Sequence, residues 1–65
     1  MTASMPPVIG IPACVREINE LPFHTVSDRY VAGVIGGMEG LPVLIPAAGH
    51  ATDMTSLVGC LDGLL

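Results

Sequence analysis

Among the side chains able to attack, relay a proton or hold a charge, Cys14, Arg16, His24, His50 and Cys60 are the ones whose positions invite a test. Cys14 follows the apolar run Val8-Ile9-Gly10-Ile11, where a strand could deliver a nucleophile. A nucleophile elbow, however, needs a sharp strand-to-helix turn with flanking glycines, so that the helix N-terminus stabilises the thiolate. Pro12-Ala13-Cys14-Val15-Arg16 has no such glycines and leads into a polar stretch, so Cys14 reads as a small apolar residue at a strand end. Cys60, one place before Leu61, reads as core or flank of a short helix. Cys14, His24, His50 and Cys60 have no recognised metal-ligand spacing, and neither a metal nor a cofactor is expected. His24 and His50 fall in loops, where the imidazole is expected to be solvated or to cap a neighbour, with a pocket histidine as the alternative for either. Arg16 is the only cation of its loop and is the candidate substrate-binding residue: a carboxylate would be held by its guanidinium. The alternative for Arg16 is a plain surface arginine. No catalytic residue is assigned.

The elements that must position these groups are legible from punctuation. Gly40-Leu-Pro-Val-Leu-Ile-Pro46 is a continuous apolar run between a glycine and a proline. It does not alternate, so it predicts a strand buried on both faces, as in a parallel sheet. Residues 8–11 predict an earlier strand, in which Gly10 marks a close approach and Pro12 the end of the ladder. Between them, Thr25-Val-Ser-Asp28 predicts a helix start with Thr25 as N-cap. Val26, Tyr30, Val31, Val34, Ile35 and Met38 then recur at spacings of three and four and predict one apolar face. Gly33, Gly36 and Gly37 weaken that helix by roughly 1 kcal/mol each, so packing must hold it, and Gly40 is expected to supply the left-handed position that ends it. These glycines lie in and after the helix, so they are no dinucleotide fingerprint.

Two further segments complete the pass. Residues 13–24 predict a long polar loop at the carboxyl end of the first strand, the end at which open α/β sheets bind ligands. Asp53 predicts the N-cap of a short helix over residues 54–61, with Leu57, Val58 and Leu61 facing inward. Residues 1–7, with Pro6-Pro7, read as a flexible leader.

Composition bounds the rest. Hydrophobic residues make up 51% of only 65 residues, and mean hydropathy is +0.70. A body this small buries only ~60% of its unfolded surface, so the chain carries more apolar material than it can hide. Leu61-Asp-Gly-Leu-Leu65 reads as a helix end, a turn and the first residues of another buried strand. The expectation is therefore an incomplete α/β domain over residues 8–65, a βαβα portion truncated at the start of its third strand. An open sheet edge on such a portion is expected to promote self-association. Six acids against Arg16 and Arg29 give a net charge of −4, scattered, with no basic footprint for nucleic acid. No apolar run is long enough to span a bilayer and no secretory signal is visible, so the expected location is cytoplasmic, with both cysteines reduced.

Three blocks carry a resemblance: Pro7-Val-Ile-Gly-Ile-Pro12, Tyr30-Val-Ala-Gly-Val-Ile-Gly-Gly-Met-Glu-Gly-Leu-Pro-Val-Leu-Ile-Pro46 and Leu61-Asp-Gly-Leu-Leu65. In order and spacing they resemble the start of the γ-glutamyl-γ-aminobutyrate hydrolase family, cysteine hydrolases of the class I glutamine amidotransferase-like, peptidase C26-like group. The resemblance implies a doubly wound, flavodoxin-like parallel sheet. It also implies hydrolysis of γ-glutamyl amides, with a small γ-glutamyl compound as substrate of the complete homologue. The family's nucleophilic cysteine, in a glycine-flanked elbow, and its histidine and glutamate all come later than residue 65. No catalytic residue therefore carries over, and the chain alone is expected to be inactive. The competing reading is part of a periplasmic-binding-like domain, which opens with a similar strand, loop, helix and strand and holds a small ligand without covalent chemistry.

Overall fold

The computed structural model describes residues 5–65. Of the expected leader, residues 1–4 lie outside the described residues, and Met5, Pro6 and Pro7 are exposed and without regular structure. Strand β1 (Val8–Pro12) is the centre of a parallel sheet. It is flanked on one side by β4 (Leu41–Ile45) and on the other by the short β5 (Gly63–Leu64), both parallel to it. The two-residue β5 is the third strand that Leu64-Leu65 foreshadowed. In chain order the parallel strands stand second, first, third, which is the opening order of a flavodoxin-like sheet.

Alternation along β1 divides its neighbours between two faces. Ile9 and Ile11 point to one face, where they form the core with Val34, supported by Val26 and Val31. Gly10 opens the other face, and a Cβ there would sit 2.6 Å from Ile45 Cδ1 and 2.6 Å from Leu61 Cδ1. The close approach expected at Gly10 is thus made by side chains of β4 and of the segment before β5. Asp62 fixes the start of β5: its carboxylate accepts from the Val8 N–H at 2.7 Å, and its own N–H donates to the Val8 carbonyl at 2.7 Å.

The expectation that β4 is buried on both faces is corrected. Ile45 is buried, but Leu41, Val43 and Leu44 are exposed, because β4 is an edge strand here and little covers it. The apolarity of the run is that of a central strand, and its position in the described residues is not.

The helix differs from expectation in three ways. Ser27, and not Thr25, is the N-cap: its Oγ accepts from the Arg29 N–H at 3.3 Å, while Thr25 is the last residue of a strand. The α-helix α1 (Asp28–Ala32) passes into five residues of π-helix, Gly33–Gly37, closed by a Met38 N–H to Gly33 carbonyl bond of 3.2 Å. The three glycines leave the backbone free to widen there. Finally, the left-handed position falls on Glu39, with φ 51°, and not on Gly40. Gly40 is required for a different reason, since a Cβ would meet Ile9 Cγ1 at 2.9 Å, Val34 Cγ1 at 3.1 Å and the Pro7 carbonyl at 3.2 Å. Of the six residues on the predicted apolar face, Val34 is fully buried, whereas Tyr30, Ile35 and Met38 are exposed. Widening the turn rotates the later positions away from the sheet.

The second helix, α2 (Met54–Gly59), starts where expected. Asp53 accepts from the Ser56 N–H at 3.1 Å and from the Ser56 hydroxyl at 2.7 Å. These bonds, the hydroxyl one foremost, hold the carboxyl below its usual range. A 3₁₀ turn, Gly49–Ala51, precedes it.

Candidate functional site

The largest correction lies where the site should be. Residues 13–24 are not a loop: β2 (Cys14–Ile18) and β3 (Leu21–Thr25) form an antiparallel hairpin. Its two-residue turn is Asn19-Glu20, with φ 52° and 65°. Two consecutive positive φ values are the type I′ geometry that matches strand twist. Asn19 suits it, but Glu20 stands where glycine is usual, so the ordinary turn signal is missing from the sequence. Pro22 hid the strand for the same reason that it is tolerated. Its register opposite Glu17, next to the turn-flanking pair Ile18 and Leu21, is a non-hydrogen-bonded one. The missing N–H therefore points away from β2.

The hairpin rises from the carboxyl end of β1, anchored at its base by the Ala13 N–H on the Ile45 carbonyl at 2.9 Å. Beyond that base it packs chiefly on itself. One face of it, with Cys14, Arg16, Ile18 and Thr25, looks into an open cleft of about 600 Å³, which Glu17 also lines. The other wall of the cleft is Val26, Ser27 and Tyr30 at the start of α1. A second hollow of about 380 Å³ shares Pro12, Cys14 and Tyr30 and extends to Ile11 and Leu65. Together the two hollows lie at the carboxyl ends of β1 and β5. That is where the strand order reverses direction, and open α/β sheets bind ligands at such a switch point.

Among the groups singled out from sequence, the fold brings Arg16 and Cys14 to this cleft. Arg16 takes part in none of the side-chain hydrogen bonds seen among the described residues, so its guanidinium is free to meet an anion. Cys14 is exposed and free, on a strand and not in an elbow, and its carbonyl accepts from the Thr25 hydroxyl at 3.2 Å. Cys60 lies elsewhere, at the C-cap of α2, with its thiol on the Ser56 carbonyl at 3.4 Å. His50 is exposed in the 3₁₀ turn. His24 is on β3, where its Nδ1 accepts from the Ala47 N–H at 3.0 Å, a capping contact. No group of three or more potential metal ligands gathers among the described residues. Ser27 and Tyr30 are cleft residues that the sequence reading placed only in the helix. Their exposure follows from the helix's orientation on the sheet, for which spacing carries no signal.

These features define an α/β chain built on a parallel sheet of flavodoxin-like order, with its cleft at the switch point. The chain belongs to the peptidase C26 family, whose model matches residues 7–65. That makes it a member of a hydrolase family of glutamine amidotransferase-like type. No curated protein matches the chain. No helix among the described residues is long and apolar enough to cross a membrane.

Proposed function

We propose that this chain is the amino-terminal scaffold of a cysteine hydrolase that cleaves γ-glutamyl amide bonds, of the γ-glutamyl-γ-aminobutyrate hydrolase type. The observation that carries the reading is the cleft at the sheet's switch point, with an unengaged Arg16 on its wall, in a chain of the peptidase C26 family. The γ-glutamyl group ends in a free carboxylate, which Arg16 holds at the rim. The chemistry needs a thiolate to attack the γ-carbonyl, an imidazole to relay the proton and backbone donors for the oxyanion. None of these roles falls to Cys14 or Cys60, one on a hairpin strand and the other at a helix end. In this reading neither the nucleophile's elbow nor the further strands of a doubly wound sheet are supplied by residues 1–65.

The exposure of Leu41, Val43, Leu44 and Leu64 supports incompleteness, since in a finished sheet these residues would be covered. In their absence the edge of β4 pairs with a second copy. The family match favours the hydrolase over a non-enzymatic binding domain.

Release of glutamate from γ-glutamyl-γ-aminobutyrate tests the reading. The 65-residue chain releases none; as the amino-terminal part of a longer peptidase C26 chain that supplies the elbow, it does, and Arg16→Ala then raises KM with little change in kcat. Activity of the chain alone, abolished by Cys14→Ser, would overturn the placement of the chemistry. An extended protein that contains a Gly-x-Cys-x-Gly elbow and leaves γ-glutamyl amides intact would overturn the substrate.

A further inference from the structure

The hairpin that walls the cleft touches the rest of the molecule at few points, and one of them is a titratable group. His24 stands on the hairpin face opposite to the one that lines the cleft, by the alternation of β3. From there its Nδ1 accepts the Ala47 N–H at 3.0 Å, bridging 23 residues of chain to the segment just after β4. The base of the hairpin is held by the sheet through Ala13 and Ile45, and His24, in the second pair of the β2–β3 ladder, adds a further bond from the other hairpin strand to the segment after β4. Two attachments fix an orientation; one leaves a hinge.

We propose that His24 is a proton-sensitive latch that sets the hairpin, and with it the Arg16 wall of the cleft, against the carboxyl end of β4. The reason is in the donor inventory of imidazole. A neutral ring offers one nitrogen as acceptor, whereas the imidazolium has two donors and none. The Ala47 N–H can therefore be accepted only by the neutral ring, and protonation sets two donors against each other. His24 is exposed, so the proton has access. The latch is closed with the ring neutral and opens when the ring takes a proton. Glu17 is the other ionisable group that strand alternation puts on that hairpin face, although it also lines the cleft, and His50 and Asp53 are the ionisable groups on the connection that carries Ala47. Glu17, when ionised, favours the charged ring and so the open state. His50 is a second imidazole on that connection and has to be separated from His24. The inference does not depend on the substrate proposed above.

Hydrogen exchange read by mass spectrometry on the whole chain tests it, with rates normalised to the intrinsic pH dependence and compared between roughly pH 7.5 and 5.5. The segment around Ala47 is expected to exchange about five- to tenfold faster at the acid end, the loss of one hydrogen bond. His24→Asn keeps an acceptor at the same reach but takes no proton, so it should hold the segment protected at both pH values. His24→Leu should leave it unprotected at both, and His50→Asn should keep the wild-type response. Protection indifferent to pH in the wild-type chain overturns the proposal. So does a pH response that survives His24→Asn or vanishes in His50→Asn.

Discussion

Replacing Gly40 by alanine separates two physical roles that a glycine after a helix can have. If Gly40 served backbone conformation, a positive φ would be required, but the positive φ belongs to Glu39. What Gly40 supplies is space. A new methyl would lie 2.9 Å from Ile9 Cγ1 and 3.1 Å from Val34 Cγ1, and those side chains are 7% and 0% exposed. It would also lie 3.2 Å from the Pro7 carbonyl, which accepts the Leu41 N–H at 2.8 Å. Neither branched neighbour can swing into solvent, and moving Pro7 loosens the start of the β1–β4 ladder. Overpacking of this kind costs about 1–3 kcal/mol, less the few tenths to 1 kcal/mol that a lost glycine removes from the unfolded chain's entropy. Gly37 is the internal control, because a Cβ there meets nothing within 4 Å. Gly37→Ala should therefore stabilise by roughly 0.4–1 kcal/mol. The two variants should differ by about 2 kcal/mol, or on the order of 10 °C in Tm for a chain of this size. Thermal unfolding followed by circular dichroism at matched concentration reads the difference. Equal melting of the two variants, or a Gly40→Ala chain more stable than wild type, would refute the packing argument.

Two further outcomes follow from the same geometry. Glu39→Gly removes a side chain from a left-handed backbone position and should raise stability by about 1 kcal/mol, measured by urea unfolding; a loss would mean that the Glu39 side chain has a role the backbone does not explain. Asp53 has its carboxyl held low by Ser56, so its contribution is present above the ordinary carboxylate range and lost as pH falls through the lowered value. Amide exchange at the start of α2 should quicken on acidification and lose that dependence in Asp53→Asn, with wild-type behaviour in the variant counting against the cap.

Local chemistry wrote much of the fold directly into the sequence. The strand read over residues 8–11, the apolar run after Gly40, the Asp53 cap and the third strand foreshadowed by Leu64-Leu65 each rest on interactions between near neighbours or on simple period and punctuation. They were legible for that reason. The hairpin was not, since its turn uses Glu20 in a glycine position and its second strand contains Pro22. Both are tolerated only because of the pairing register, which no single segment encodes. The helix was seen but misjudged in pitch, because a π-helix differs from an α-helix by one residue per turn and three glycines permit either.

The candidate site divides the same way. The sequence by itself determined that Arg16 stands just past the first strand and that neither cysteine is flanked like a nucleophile. Only tertiary structure decided that Arg16 faces Ser27 and Tyr30 across a cleft, and that His24 reaches Ala47. It likewise decided that the strand reading as fully buried is an exposed edge. The physical reason is common to all three. Residue type and spacing fix which groups a segment offers, whereas what each group meets depends on the order in which strands pair and on which faces remain uncovered.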